Sequence, residues 1–203
     1  MPLFAFLGCD GSGKSAVITG VTERLEKLGV KVTCGHWRPQ ALDPGSEAAA
    51  ATADDPHGQV PRCMMTSVIK LSWLWLNWWL GWFRFLKERS ASGVVLFDRY
   101  HADLLVDPRR YRYGGPIWLA CLASRMMPQP DLVIFLDAEP DVLLSRKQEV
   151  SRQALEASRK SYLQFCQGGG RFVVVDASLS LDQVVTRVLH QISRLGFDSE
   201  KAD

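Results

Sequence analysis

A chain of 203 residues suits one domain, since single cores grow to roughly 250 residues before chains tend to split. Hydrophobic residues at 47% and charged residues at 23% exclude wholesale disorder, and a net charge of +2 excludes the basic footprint that a nucleic-acid duplex would require. The five cysteines, Cys9, Cys34, Cys63, Cys121 and Cys166, are widely separated and form no C-x-x-C pair, which excludes a zinc ribbon or redox couple and makes the cytoplasm the expected location.

Met1 to Leu7 lacks a basic n-region, and its apolar run leads straight into a glycine loop, so Leu3 to Leu7 reads as a buried strand and not as a signal peptide. A helical pattern follows over Lys14 to Leu28, then a second strand over Val30 to Cys34. Gln40 to Arg62 mixes alanine, acid, glycine and proline without apolar period and reads as a mobile loop, either a functional flap or plain disorder. A long helix runs from about Cys63 to Arg89, and a third strand from Val94 to Phe97. Pro116 to Met126 forms a helix, Leu132 to Leu136 a fourth strand, and Pro140 to Phe165 a helix with room for a break. Phe172 to Val175 is the fifth strand, Leu181 to Leu195 the last helix, and Ser199 to Asp203 a polar tail. The strands are continuous apolar runs, the pattern of a parallel sheet covered on both faces, and their alternation with helices predicts an α/β doubly wound fold.

Gly8-Cys9-Asp10-Gly11-Ser12-Gly13-Lys14-Ser15 fits G-x-x-x-x-G-K-[ST] between a strand and a helix. Glycines let successive backbone N–H groups turn toward phosphate oxygens, and the helix N-terminus adds its positive end. Gly8, Asp10, Gly11, Ser12, Gly13, Lys14 and Ser15 are therefore the candidate ATP-binding residues. Lys14 is placed to neutralise the β- and γ-phosphates, and the Ser15 hydroxyl to ligate Mg2+. Asp98 closes the third strand, where α/β sheets hold ligands, and is the second candidate for magnesium or for the acceptor's proton.

The P-loop, Asp98-Arg99-Tyr100 and Pro130-Asp131-Leu132-Val133-Ile134-Phe135-Leu136-Asp137 together resemble the thymidylate kinase family of P-loop nucleoside monophosphate kinases. The order of these blocks extends the resemblance over most of the chain, to the strand Arg171 to Asp176 and the final helix. It implies a three-layer fold with a five-stranded parallel sheet, magnesium-ATP as donor and an arginine-bearing lid after the fourth strand. The lid would span 146–155 and include Arg146 at the ATP, with Lys147 and Arg152 beside it. By the same resemblance Lys14, Asp98 and Arg99 are catalytic, Asp10 lies near the acceptor sugar, Arg99 spans donor and acceptor phosphates, and Arg38 with Pro39 belongs to the acceptor-phosphate block.

The family reads thymine through a phenylalanine and arginine on its third helix, and through a serine or threonine and a glutamine after the Asp-Arg pair. In His101 to Pro116 no such serine and glutamine occur. Arg109, Arg110 and Arg112 stand there instead, interleaved with Tyr111 and Tyr113, chemistry suited to an anion beside a stackable ring or sugar. Thymidylate is accordingly not the expected acceptor. In the long helix Trp73, Trp75, Trp78, Trp79 and Trp82 require cover. The uncharged stretch between Lys70 and Arg84 falls short of the roughly twenty residues that cross a bilayer. Lys70, Asn77, Gly81, Arg84 and Glu88 share one stripe, which predicts a buried helix whose polar edge either lines the acceptor site, through Asn77 and Arg84, or faces solvent. The expected cover is the core plus a homodimer partner, with a membrane interface or an amphiphilic substrate as the weaker reading.

These observations converge on a single-domain phosphotransferase that moves the ATP γ-phosphate to a small anionic acceptor, foremost a nucleoside monophosphate. The alternatives are a same-fold kinase of a phosphorylated sugar or lipid-linked intermediate, and a nucleotide-gated regulatory ATPase.

Overall fold

A computed structural model of the chain describes residues 2–36, 63–88, 93–108, 111–147, 150–167 and 171–195, without the side chains of 81 and 83–88. The expected loop over 40–62 lies outside the described residues. In chain order the elements are β1 (Leu3–Gly8), α1 (Lys14–Lys27), β2 (Val32–His36), α2 (Met64–Glu88), β3 (Val94–Asp98), α3 (Ala102–Val106), α4 (Ile117–Arg125), β4 (Leu132–Asp137), α5 (Pro140–Arg146), α6 (Arg152–Gln167), β5 (Phe172–Asp176) and α7 (Leu181–Ser193). They form two compact units. Met1–Gly35, Ala91–Tyr100 and Pro130–Asp203 make the first, and His36–Ser90 with His101–Gln129 the second.

The first unit is built on a five-stranded parallel sheet in the order β2-β3-β1-β4-β5, flanked by helices, as the α/β pattern predicts. Every residue of the central β1 is buried, whereas the edge strand β5 buries only Val175, which is why the apolar runs are densest in β1, β3 and β4. Tyr162 of α6 stacks on Phe135 of β4 at 5.0 Å, and Phe165 meets Phe172 of β5 edge-on at 5.3 Å, so α6 is held to the sheet by aromatic contacts. The strand expected from Val30 begins at Val32. The C-terminus of α1 claims the residues before it, with Gly29 at φ 77 and the Val30 N–H donating to the Leu25 carbonyl. The predicted break in the helix after Pro140 falls between Arg146 and Arg152, and Ser180 with Gln183 forms a capping box that starts α7.

In the second unit Leu71 of α2, Leu104 of α3, Tyr111, Tyr113 and Ala120 of α4 form one buried cluster. The short α3 was not anticipated from the sequence. Within the single chain α2 is buried on one side. Trp78 is buried at 2% and stacks on Trp82 at 5.2 Å, but Trp73 is 53% exposed and Met65, Ile69, Leu76 and Leu80 share its outward side. From the stripe expected to line a site or face water, Lys70 instead donates from Nζ to the Tyr111 carbonyl at 3.0 Å. No described helix is long and apolar enough to cross a membrane.

His101 is also buried in this unit, 2.5 Å from its Nδ1 to the Ser124 Oγ, and burial pushes its pKa down to about 4. The unfolded chain binds this proton near pH 6.5 and the folded chain only near 4, so the stability at stake is present above 6.5 and is lost as pH falls through that window. Between pH 7 and pH 5 the loss attributable to His101 is at most about 2 kcal/mol. Urea unfolding at the two pH values is expected to show a smaller drop in His101→Gln than in the parent.

Candidate active site

At the carboxyl end of β1 the chain turns into the phosphate loop, where Gly8 and Gly11 are demanded by space. A Cβ on Gly8 would lie 2.6 Å from Ser12 Oγ and 2.9 Å from the Leu136 carbonyl, and one on Gly11, at φ +84, would meet the Leu143 carbonyl at 2.7 Å. Gly13 caps α1 in the left-handed conformation, so the loop's backbone reaches the helix N-terminus without side chains in the way. Lys14 is only 8% exposed. Its Nζ donates to the carbonyls of Gly8 at 2.9 Å and Cys9 at 3.0 Å and to Ser12 Oγ at 3.3 Å, which folds the ammonium back over the loop. Ser15, in the first turn of α1, is exposed.

Asp98 pairs with Phe6 across β1 and β3, so the carboxylate lies at the end of the strand beside the loop's own strand. Its Oδ1 is buried and has no hydrogen-bond partner among the described residues. Such an oxygen costs roughly 1–3 kcal/mol to leave unpaired. That cost fits a cation or its water. No cluster of three or more His, Cys, Asp or Glu able to hold a metal occurs among the described residues. Magnesium would therefore take its other ligands from nucleotide phosphates and water, as this ion commonly does.

Arg99 follows in the left-handed conformation, φ 64, with its N–H donated to the Phe6 carbonyl at 2.9 Å. For a non-glycine residue this conformation costs on the order of 1–3 kcal/mol, strain of the kind found at functional sites. It carries the guanidinium to Asp10 of the phosphate loop, Nη2 to Oδ1 at 2.8 Å, with both side chains nearly buried at 12% and 13%. Two residues expected at the acceptor from separate motifs are thus joined as one ion pair.

The expected lid residues Arg146, Lys147 and Arg152 are exposed, and Arg146 and Arg152 hold partners. Arg146 ends α5 and donates to the Ala177 carbonyl at 2.9 Å, and Arg152 pairs with Asp141 at 2.6 Å and Glu156 at 2.9 Å on an exposed surface. The sequence reading passed over Arg159, whose Nε and Nη2 grip both oxygens of Asp137 at 2.7 and 2.9 Å while Nη1 reaches Glu139 at 2.9 Å. Those carboxylates hold its pKa above the ordinary arginine range. Cys9 is packed inside the loop with Sγ 3.9 Å from Ser158 Oγ, and burial pushes its thiol up to about 11, so it stays protonated and is no nucleophile.

Of the remaining candidates, Arg38, Arg109 and Arg110 lie outside the described residues, and Arg84 belongs to α2 without a described side chain. Arg112 is described, at φ 53, on a turn pinned by Lys70 at Tyr111, by Ser67 Oγ accepting from the Gly114 N–H at 2.9 Å, and by Tyr113 Oη donating to the Pro116 carbonyl at 2.9 Å. Tyr111 Oη lies 3.3 Å from the fully buried Asp103 carboxylate.

Comparison with known proteins bears on the whole chain. The family model described as Thymidylate kinase matches residues 84–188. A thymidylate kinase of Shewanella frigidimarina is 35% identical over 92% of this chain and 90% of its own length. One from Shewanella loihica is 28% identical over 92% of each chain, and a probable thymidylate kinase of Saccharolobus solfataricus is 26% identical over 95% of this chain and 97% of its own.

Proposed function

This chain belongs to the thymidylate kinase family of P-loop phosphotransferases, and from that premise we propose that it transfers the γ-phosphate of ATP to a nucleoside monophosphate other than thymidylate. The observation that carries the reading is the pair of cations at the carboxyl edge of one sheet: Lys14 curled over the phosphate loop and Arg99 strained toward Asp10.

Phosphoryl transfer needs positioning and charge neutralisation more than covalent chemistry. The N–H groups of Gly11, Ser12, Gly13 and Lys14 hold the donor phosphates, and Lys14 swings from the loop carbonyls to the γ-phosphate. Ser15 and Asp98 would hold Mg2+, which would supply neutralisation of the donor charge. Arg99 exchanges Asp10 for the phosphate in transfer, which frees the Asp10 carboxylate to accept from an acceptor sugar hydroxyl. Arg146 serves the ATP end, and Arg38, Arg84, Arg109, Arg110 and Arg112 serve the acceptor. A coupled ADP-release screen of nucleoside monophosphates, sugar phosphates and polyprenyl phosphates tests the reading. Turnover is expected with a nucleoside monophosphate; turnover confined to another class, or ATP hydrolysis stimulated only by a protein, would replace it.

The uncovered apolar surface points to a homodimer. Met65, Ile69, Trp73, Leu76 and Leu80 of α2 are exposed, as are Ile117, Trp118 and Leu122 of α4 and the adjoining Met126. Two of these are tryptophans, and large apolar side chains left in water on this scale call for a covering partner. Sedimentation without detergent is expected to give a dimer that Trp73→Glu dissociates. A clean monomer that binds no lipid vesicles would refute both the dimer and the membrane reading.

A further inference from the structure

Arg159 and the carboxylates it holds are absorbed by none of the roles above, yet they stand directly behind the phosphate loop. β4 runs beside β1 with Leu136 opposite Gly8, so Asp137 leaves the sheet next to the loop's first residue. Its carboxylate is near enough to raise the pKa of Cys9 within the loop. α5 backs the loop at Gly11 through the Leu143 carbonyl, and α6 backs it at Cys9 through Ser158. A bare carboxylate there would oppose the most highly charged ligand the loop accepts, and opposition of that sign grows with the number of phosphates.

Arg159 answers both needs. Its planar fork takes both oxygens of Asp137 and also reaches Glu139, just before α5, at side-chain exposures of 23% and 16% for the Arg159–Asp137 pair. A fork–fork pair fixes orientation as well as charge, which lysine cannot do. We propose that Arg159 is a positioning residue of the donor site, cancelling the Asp137 charge behind the phosphate loop and holding α6 against that loop so that ATP binds. It touches no substrate itself. The inference rests on the reading of Gly8 to Ser15 as the ATP site.

Titration with the fluorescent analogues mant-ATP and mant-ADP, in the presence of magnesium, tests it without knowledge of the acceptor. Parent protein binds mant-ATP and Lys14→Ala does not; if the parent itself fails to bind, the donor-site reading falls and this proposal with it. Given parental binding, Arg159→Met is expected to weaken mant-ATP five- to twentyfold and mant-ADP less. Adding Asp137→Asn to Arg159→Met should recover most of the loss, and Arg159→Lys should recover part. A purely structural bolt would lower the melting temperature and the binding-competent fraction, treat both nucleotides alike, and gain nothing from Asp137→Asn. That result, or unchanged mant-ATP affinity in Arg159→Met, overturns the proposal. If Arg159→Met does not fold, Asp137→Asn alone decides, since Arg159 keeps Glu139. Mant-ATP then tightens two- to threefold relative to mant-ADP as the charge disappears, and an unchanged or reversed ratio refutes the role.

Discussion

Lys14→Ala is expected to lower kcat by about 10²–10³-fold while the protein remains folded. The ammonium meets the donor phosphates where charge gathers in the transition state, and loss of one such preorganised donor costs on the order of 10²–10³ in rate. The same Nζ donates to the carbonyls of Gly8 and Cys9 and to Ser12 Oγ, all within the loop. Its removal is expected to loosen that turn and leave the sheet in place. ADP release with the confirmed acceptor, beside thermal unfolding of both proteins, checks the two halves together. Full activity in the mutant would end the P-loop assignment. A collapse of the melting temperature would show instead that the lysine is a structural clasp.

Thymidylate is expected to turn over poorly, and the basic turn to govern the true acceptor. A site that hydrogen-bonds one base loses on the order of 10⁴-fold when those partners are missing, although its phosphate end still binds. In place of the family's serine and glutamine, this chain has Arg109, Arg110 and Arg112 shortly after Asp98 and Arg99. The backbone around Arg112 is pinned at Tyr111 and Gly114, and its positive φ strains alanine no more than arginine. Alanine substitution there consequently reports side-chain chemistry. Each of the three alanine variants should raise the acceptor KM or lower kcat with ATP affinity nearly unchanged. Thymidylate turnover at a kcat/KM of about 10⁴ M⁻¹s⁻¹ or above, or unaltered acceptor kinetics in all three variants, would defeat the idea.

Relatives named for thymidylate do not remove the force of that prediction. An identity of 26–35% carries the family and does not by itself carry the groups that read a base. Loops and helix faces around a rigid scaffold change specificity while the scaffold persists.

What could be read without coordinates was whatever the chain writes locally. Gly8 to Ser15 lies in one stretch, its glycines answer to backbone geometry, and the flanking strand and helix follow from an apolar run and a helical period. Asp98 was legible because a buried strand ends on a carboxylate. Tertiary structure decided the rest through partners far apart in sequence. Arg99 meets Asp10 across 89 residues, Arg159 meets Asp137 across 22, and Lys70 reaches the Tyr111 carbonyl across 41. No periodicity announces such pairs, since a charged residue on a helix most often faces water. The stripe on α2 shows the same limit at Lys70. Its lysine had a backbone carbonyl to satisfy that only the folded chain brings within 3.0 Å. A side chain's periodicity says which residues share a face, whereas hydrogen-bond satisfaction, a property of the packed chain, says what that face meets.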